Sequence, residues 1–203
     1  MNVWIWGPPM WELLHSAGQV YDANSMNIDA LVRPLKVILP CRYCRDSFVL
    51  FYDELRKPVT GRGLLWTYNV HTLVNEKLAR QRLEKSGVSG VPLKDLFSEP
   101  TFEVVRKRLL VNSDELFTWK SISVVLLALT MSNAEETEFV SFVNALMKAV
   151  ELSKQQNTQM IVEFLDVFLK SNNRRHLLET TKYSNASHSD LIRAGSCIAG
   201  SCF

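Results

Sequence analysis

Residues 39–51 read LPCRYCRDSFVLF and combine a cysteine pair with the apolar spacing of a helix. Cysteine and phenylalanine positions follow one another at steps of three, four and three residues: Cys41, Cys44, Phe48, Phe51. Residues at these spacings share one stripe of an α-helix. The segment therefore predicts a helix that begins near Pro40 and carries both cysteines on one face.

The position of this pair suits redox chemistry. A helix N-terminus and nearby cations stabilise a thiolate, and Arg42 and Arg45 adjoin the two cysteines. Taken alone, the pair could also belong to a thioredoxin-like protein, a zinc site or a buried helix face. A zinc module would use all four cysteines of the chain as ligands, but the long gap between the pairs weakens that hypothesis. The four cysteines are Cys41, Cys44, Cys197 and Cys202.

Helical periodicity extends through most of the chain and predicts an all-α fold. Helices are predicted at residues 8–19, 29–38, from about 40 onward, 64–85, 93–110, 113–131, 134–152 and 155–171. Pro34 must kink the second of these or occupy a first turn. The glycines and the proline of SGVSGVP, residues 86–92, interrupt helices and indicate a domain boundary. We therefore expect one domain at 1–88, a second helical domain at 93–180 and a flexible tail at 181–203.

Composition excludes several classes of protein. Apolar residues make up 47% of the chain and charged residues 22%, as in an ordinary globular protein. A formal net charge of +2 without a basic block predicts no nucleic-acid partner. We see neither a signal peptide nor an apolar run long enough to span a membrane, and expect a cytoplasmic protein without a bound metal.

Two further segments flank the cysteine pair: WGPPMWELLH at residues 6–15 and WTYNVHTLVNEKL at residues 66–78. Together, these segments and the cysteine pair give the chain a pattern over roughly residues 4–80 that resembles the Erv/ALR family of sulfhydryl oxidases. The residues that carry the resemblance are Trp6, Gly7, Trp11, Leu14, His15, Pro40, Cys41, Cys44, Phe48, Trp66, His71, Val74 and Asn75. The chain departs from the family at Tyr68, where cellular members commonly have a structural cysteine, and at Thr72, where asparagine is usual.

The spacing within the flanking segments agrees with a cofactor site. Trp11 and His15 are four residues apart, as are His71 and Asn75, so each pair lies on one helix face. Their flat rings and hydrogen-bonding groups could sandwich a flavin. Any one of these residues alone would more often be an ordinary core residue.

The resemblance implies a four-helix FAD-binding bundle that forms disulfides in protein dithiols and passes the electrons to oxygen, giving hydrogen peroxide. In that scheme Cys44 lies beside the isoalloxazine as the charge-transfer thiolate, and Cys41 exchanges with the incoming dithiol. The residues expected to contact FAD are Gly7, Trp11, His15, Tyr52, His71, Val74, Asn75 and Lys77.

The tail pair, Cys197 and Cys202, resembles the shuttle cysteines that family members carry on flexible termini, although surface thiols or a structural clip would give the same spacing. The expected partners are dithiol proteins or a thioredoxin-like relay protein, molecular oxygen and a second copy of the chain. The absence of a targeting segment fits a member of the family from a large DNA virus better than an organellar one, acting in host cytoplasm or in the virion, with the extra helical domain serving packing, dimerisation or partner binding. The alternative hypothesis is a catalytically silent oxidase scaffold that binds partners through residues 93–180.

Overall fold

The computed structural model of the protein describes residues 3–86, 100–111, 115–130, 136–155 and 158–170. Within these ranges the structure contains helices and no β-strand, which confirms the all-α prediction. The helices are α1 (Val3–Ala23), α2 (Asp29–Val32), α3 (Leu35–Ile38), α4 (Arg42–Leu55), α5 (Gly63–Ser86), α6 (Phe102–Val111), α7 (Trp119–Thr130), α8 (Glu136–Ser153) and α9 (Thr158–Lys170).

The first helix is longer at both ends than the predicted range of 8–19. It starts at Val3 and includes Pro8 and Pro9, which cannot donate backbone hydrogen bonds. The apolar stripe runs through the prolines: Trp6 precedes them, Met10 follows them one turn later, and both are buried, at 4% and 3% exposure. Burial of this stripe keeps the segment helical where proline chemistry alone predicted a start.

A single helix at residues 29–38 was a wrong prediction. The structure has two four-residue helices there, α2 and α3, which meet at Arg33 and Pro34. Pro34 has no backbone N–H to bond the preceding turn, and its ring crowds the carbonyl four residues earlier. The proline therefore divides the segment instead of bending one continuous helix.

Two features hold α5 against α1. The carboxylate of Asp22 accepts hydrogen bonds from the backbone N–H groups of Gly63, at 2.6 Å, and Leu64, at 3.0 Å. Gly18 of α1 lies so close to α5 that an added Cβ would stand 2.8 Å from the Leu64 backbone. The start of α5, predicted at residue 64, is thus capped by a side chain of the first helix.

The second half of the chain packs directly on the first. Helices α7 and α8 lie against α1, α8 also contacts α2 and α3, and α9 packs on α8. Buried apolar residues of both halves form one continuous core. Tyr21 of α1 donates a hydrogen bond to the Ala145 carbonyl of α8 at 2.9 Å.

The predicted domain division stays a prediction, and its boundary at 86–92 and the tail at 181–203 fall almost wholly outside the described residues. The helices α6, α7 and α9 begin after the predicted starts of 93, 113 and 155, and α8 is described from Glu136. In the part of the chain that the structure describes, no helix combines the length and apolar character needed to cross a membrane.

Candidate functional site

The cysteine pair lies at the N-terminus of α4, as predicted. Cys41 is the residue just before the helix and has extended backbone angles, φ −103° and ψ 123°. Its carbonyl accepts the N–H groups of Cys44 and Arg45, both at 3.0 Å. Both thiols are free, with Cys41 8% exposed and Cys44 somewhat more open.

The two thiols titrate as an interacting pair. The hydrogen bond from the Cys44 side chain lowers the pKa of Cys41 to about 6; burial opposes this, and backbone N–H groups of residues 43 and 44 assist it. The same contact with Cys41 raises the pKa of Cys44, as does burial, while the positive charges of Lys77 and Arg45 lower it. The first proton of the pair is therefore lost easily and the second with difficulty.

A cavity of about 300 Å³ opens beside the pair, between α1, α3, α4 and α5. Its walls are mainly apolar and aromatic, and Lys77 is the one charged side chain among the described residues that line it. The lining residues are Val3, Trp6, Gly7, Met10, Trp11, Leu14, Leu35, Leu39, Cys41, Tyr43, Cys44, Ser47, Phe48, Phe51, Val74, Lys77, Leu78 and Gln81. We call this space the dithiol cavity.

The dithiol cavity fits the ring system of a flavin. Its volume lies within the usual range for small-molecule sites, and apolar walls with a few polar groups are typical of them. Trp6 lines the cavity with an indole N–H that is buried without a hydrogen-bond partner among the described residues. Lys77 adds a cation at the same wall, so an apolar ring with acceptor atoms along its edge suits the site.

A second cluster joins α1 to α5 through two histidines. The Thr67 hydroxyl donates to the Leu64 carbonyl at 3.0 Å, so its oxygen accepts the Nδ1–H of His15 at 3.1 Å. His15 Nε2 is then an acceptor, and it pairs with Nδ1 of His71 at 3.0 Å. Burial, followed by the neighbouring His71, lowers the pKa of His15 to about 3. His15 is therefore a neutral imidazole with a defined tautomer.

This cluster borders a second cavity, of about 660 Å³, which we call the histidine cavity. It lies between α1, α5 and α6 and the segment that leads into α7. The lining residues are Pro8, Trp11, Glu12, His15, Ser16, Tyr68, His71, Asn75, Pro100, Val105, Arg108, Leu109, Glu115, Leu116 and Thr118. Trp11 lines both cavities, so its indole stands between them.

The Trp11 and His71 rings stack directly on each other, with centroids 4.2 Å apart and planes inclined by 11°. A flat group between them would require a ring separation of about 7 to 8 Å, because each stacked contact spans about 3.5 to 4.0 Å. The sandwich expected from the sequence therefore requires the two rings to separate. Without that movement, a planar ligand meets only their outer faces.

Most of the sequence-predicted residues lie at one of the two cavities. Gly7, Val74 and Lys77 line the dithiol cavity, whereas His15, His71 and Asn75 line the histidine cavity. Tyr52 lines neither cavity. Its ring packs edge-on against Trp66 at 5.6 Å, and its hydroxyl donates to Asp29 of α2.

Sequence reasoning missed two polar residues of the dithiol cavity. Ser47 follows Cys44 by three residues, and Gln81 follows Lys77 by four. Both spacings put the missed residue on the same helix face as its predicted neighbour. The helical period was therefore a signal that could have identified them.

Within the described ranges, no group of three His, Cys, Asp or Glu side chains is placed to hold a metal ion. The four-cysteine zinc hypothesis needs Cys197 and Cys202, which lie outside those ranges.

The fold and the site define an all-α protein with a redox-capable dithiol at a helix start beside an apolar cavity. Residues 8–92 match the sequence model of the Erv1/Alr family, whose members are sulfhydryl oxidases. The match contains the cysteine pair and every residue of the dithiol cavity except Val3, Trp6 and Gly7. It supports a general role as an FAD-linked sulfhydryl oxidase. No curated protein and no solved structure matches the chain.

Proposed function

We propose that the protein is an FAD-dependent thiol oxidase that forms disulfides in protein dithiols and passes the electrons to oxygen. The dithiol cavity is the observation that carries the proposal. It brings Cys41, Cys44 and Lys77 to one apolar space, and nearly all of its walls belong to the segment that matches the oxidase family. A dithiol that only stabilised the fold would need no such space.

The electrostatics of the pair support separate roles for the two cysteines. In the oxidised pair, a substrate thiolate attacks Cys41 Sγ, and the Cys41–Cys44 disulfide breaks with Cys44 as the leaving thiolate. Lys77 and Arg45 stabilise that thiolate, because their positive charges lower the pKa of Cys44. The contact with Cys41 that raises this pKa is lost once Cys41 is held in a mixed disulfide.

The second substrate thiolate then attacks the substrate sulfur of the mixed disulfide, so Cys41 leaves as a thiolate and the substrate departs as a disulfide. The pair has gained two electrons, and the two protons that the substrate thiols lost on ionising go to the solvent or to the pair. When bound, FAD would take these electrons from the pair and deliver them to oxygen, giving hydrogen peroxide. Gly7, Trp11, Val74 and Lys77 would hold its ring system in the dithiol cavity. His15, His71 and Asn75 would hold its other end near the histidine cavity.

The test is a flavin spectrum followed by oxygen uptake with a dithiol. We expect the purified full chain to carry non-covalent FAD and to consume oxygen with dithiothreitol. Cys44→Ser should retain FAD and lose uptake, because the pair can no longer form its disulfide and the thiolate expected beside the cofactor is absent. Ser123→Ala is the control and should keep full uptake, because Ser123 lines neither cavity and its hydroxyl donates to the Lys120 carbonyl on its own helix.

Two outcomes would count against the proposal. A protein that neither contains nor binds FAD would refute it outright. A protein that binds FAD without thiol-dependent uptake would favour the silent scaffold instead.

We also propose that Cys197 and Cys202 relay electrons from protein substrates to the dithiol, directly or through a thioredoxin-like protein. Separately, we propose that the protein is a homodimer. Replacing both by serine should slow oxidation of a reduced protein substrate and leave oxidation of dithiothreitol unchanged. Light scattering of the purified chain should give twice the monomer mass of 23.2 kDa. Equal slowing with both substrates would exclude the relay role, and a monomer mass would exclude the dimer.

A further inference from the structure

The wall of the dithiol cavity contains a hydrogen-bonded chain that sequence reasoning did not predict. The ammonium of Lys77 on α5 donates to the hydroxyl oxygen of Ser47 on α4. That hydroxyl in turn donates to the Tyr43 carbonyl at 2.7 Å. Because the carbonyl takes the only proton of the Ser47 hydroxyl, the oxygen faces Lys77 purely as an acceptor.

Helix geometry brings this chain to Cys44. Ser47 lies three residues after Cys44 on the same face of α4, and all three side chains, Cys44, Ser47 and Lys77, line the same cavity. Ser47 is only 8% exposed, so its hydroxyl is held inside the protein wall. Lysine has a long, flexible stem that a single charge contact does not orient. A fixed acceptor therefore decides where the ammonium resides.

We propose that Ser47 is a positioning residue that holds the Lys77 ammonium beside Cys44 and so favours the Cys44 thiolate. Lys77 acts on the sulfur through its charge, whereas Ser47 acts only through Lys77. This inference deepens the proposed function, because it depends on Cys44 as the thiolate that leaves Cys41. It does not depend on the cofactor, so it can be tested on thiol chemistry alone.

Few other charges among the described residues act on Cys44. Cys41 and Arg45 face it from its own end of α4, and the Tyr43 side chain lines the same space. The cavity residues contributed by α1 and α3 carry no charge, and Lys77 is the charged one from α5. The Arg45 guanidinium donates a hydrogen bond to the Leu39 carbonyl, which fixes its position. Movement of the Lys77 ammonium is therefore the change to which the Cys44 thiol should respond most.

The experiment measures the pH at which Cys44 becomes reactive in the full chain. Cys41→Ala serves as the background, because it removes the coupled thiol and Cys41 makes no side-chain cap bond to α4. Iodoacetamide modification is followed against pH, and mass spectrometry of the Cys44 peptide separates it from the tail cysteines. The midpoint of the profile reports the thiolate pKa independently of how accessible the sulfur is.

In this background, Lys77→Met should raise the midpoint by about one unit, which is a tenfold loss of thiolate at neutral pH. Ser47→Ala should raise it by about half a unit, a roughly threefold loss, since the ammonium is no longer held. Combining the two should add nothing beyond Lys77→Met, because Ser47 then has no charge to position. Ser47→Thr keeps the hydroxyl, so its midpoint should equal that of the Cys41→Ala background.

Three results would overturn the inference: an unchanged midpoint in Ser47→Ala, an unchanged midpoint in Lys77→Met, or an equal Ser47→Ala shift with Lys77 already replaced. Alanine is the best helix former, so Ser47→Ala should keep α4 intact, and circular dichroism checks this. Lys77→Met tests the charge effect without altering α4. Absence of flavin from the protein would refute the oxidase function but leave these midpoints interpretable.

Discussion

Acid should destabilise the protein through His15, and the size of the effect follows from its burial. The imidazole is 8% exposed, and its pKa falls from 6.5 to about 3 in the folded protein. A group that binds a proton more readily when unfolded contributes stability above its unfolded pKa. That contribution is lost as the pH falls from 6.5 toward 3. Between about pH 7.5 and pH 5 the loss is about 2 kcal/mol, at about 1.4 kcal/mol per pH unit below about 6.5.

The assay is urea unfolding of the full chain at the two pH values, compared with His15→Gln. Glutamine can still donate to Thr67 but does not titrate, so the variant should lose about 2 kcal/mol less than the parent on acidification. Groups that both proteins share cancel in this difference, provided that the urea dependence of the free energy of unfolding is the same. Equal losses in parent and variant would contradict the assignment of His15 as a buried neutral base.

Two further predictions concern packing. Gly18→Ala should lower the free energy of unfolding by about 1 to 3 kcal/mol, because its Cβ would clash with the Leu64 backbone at 2.8 Å. Gly7→Ala is the matched control: its Cβ would lie 3.6 Å from a Val3 methyl group, so thermal unfolding should show no loss. Tyr21→Phe should cost about 1 kcal/mol by removing the hydrogen bond to α8, and an unchanged melting temperature would argue against that link between the two halves.

Local sequence information was enough to predict the class of fold and the place of the dithiol. Helical spacing put Cys41 and Cys44 at the start of one helix, where α4 begins at Arg42. Spacing also predicted α5 at residues 64–85, close to the observed Gly63–Ser86. These features depend on residues within a few turns of each other, and a periodic pattern expresses such relations directly.

Local sequence patterns predicted helix ends less well at prolines, where the tendency of proline to interrupt a helix competes with apolar helical spacing. Proline predicted the start of α1 at residue 8, but burial of the upstream apolar stripe extends the helix to Val3. At Pro34 the segment divides into α2 and α3, because proline has no backbone N–H to bond the preceding turn and its ring crowds that turn.

Only the tertiary structure decided how the predicted site residues relate to one another. His15 meets Thr67 and His71 across 52 and 56 residues of chain, and Lys77 meets Ser47 across 30. Tyr52, expected to contact the cofactor, packs against Trp66, bonds to Asp29 and lines neither cavity. Such contacts depend on how helices cross, which no periodicity within a single helix encodes. The sequence by itself thus determined an all-α protein with a dithiol at a helix start, and the packing of α1, α4 and α5 decided which side chains share its cavity.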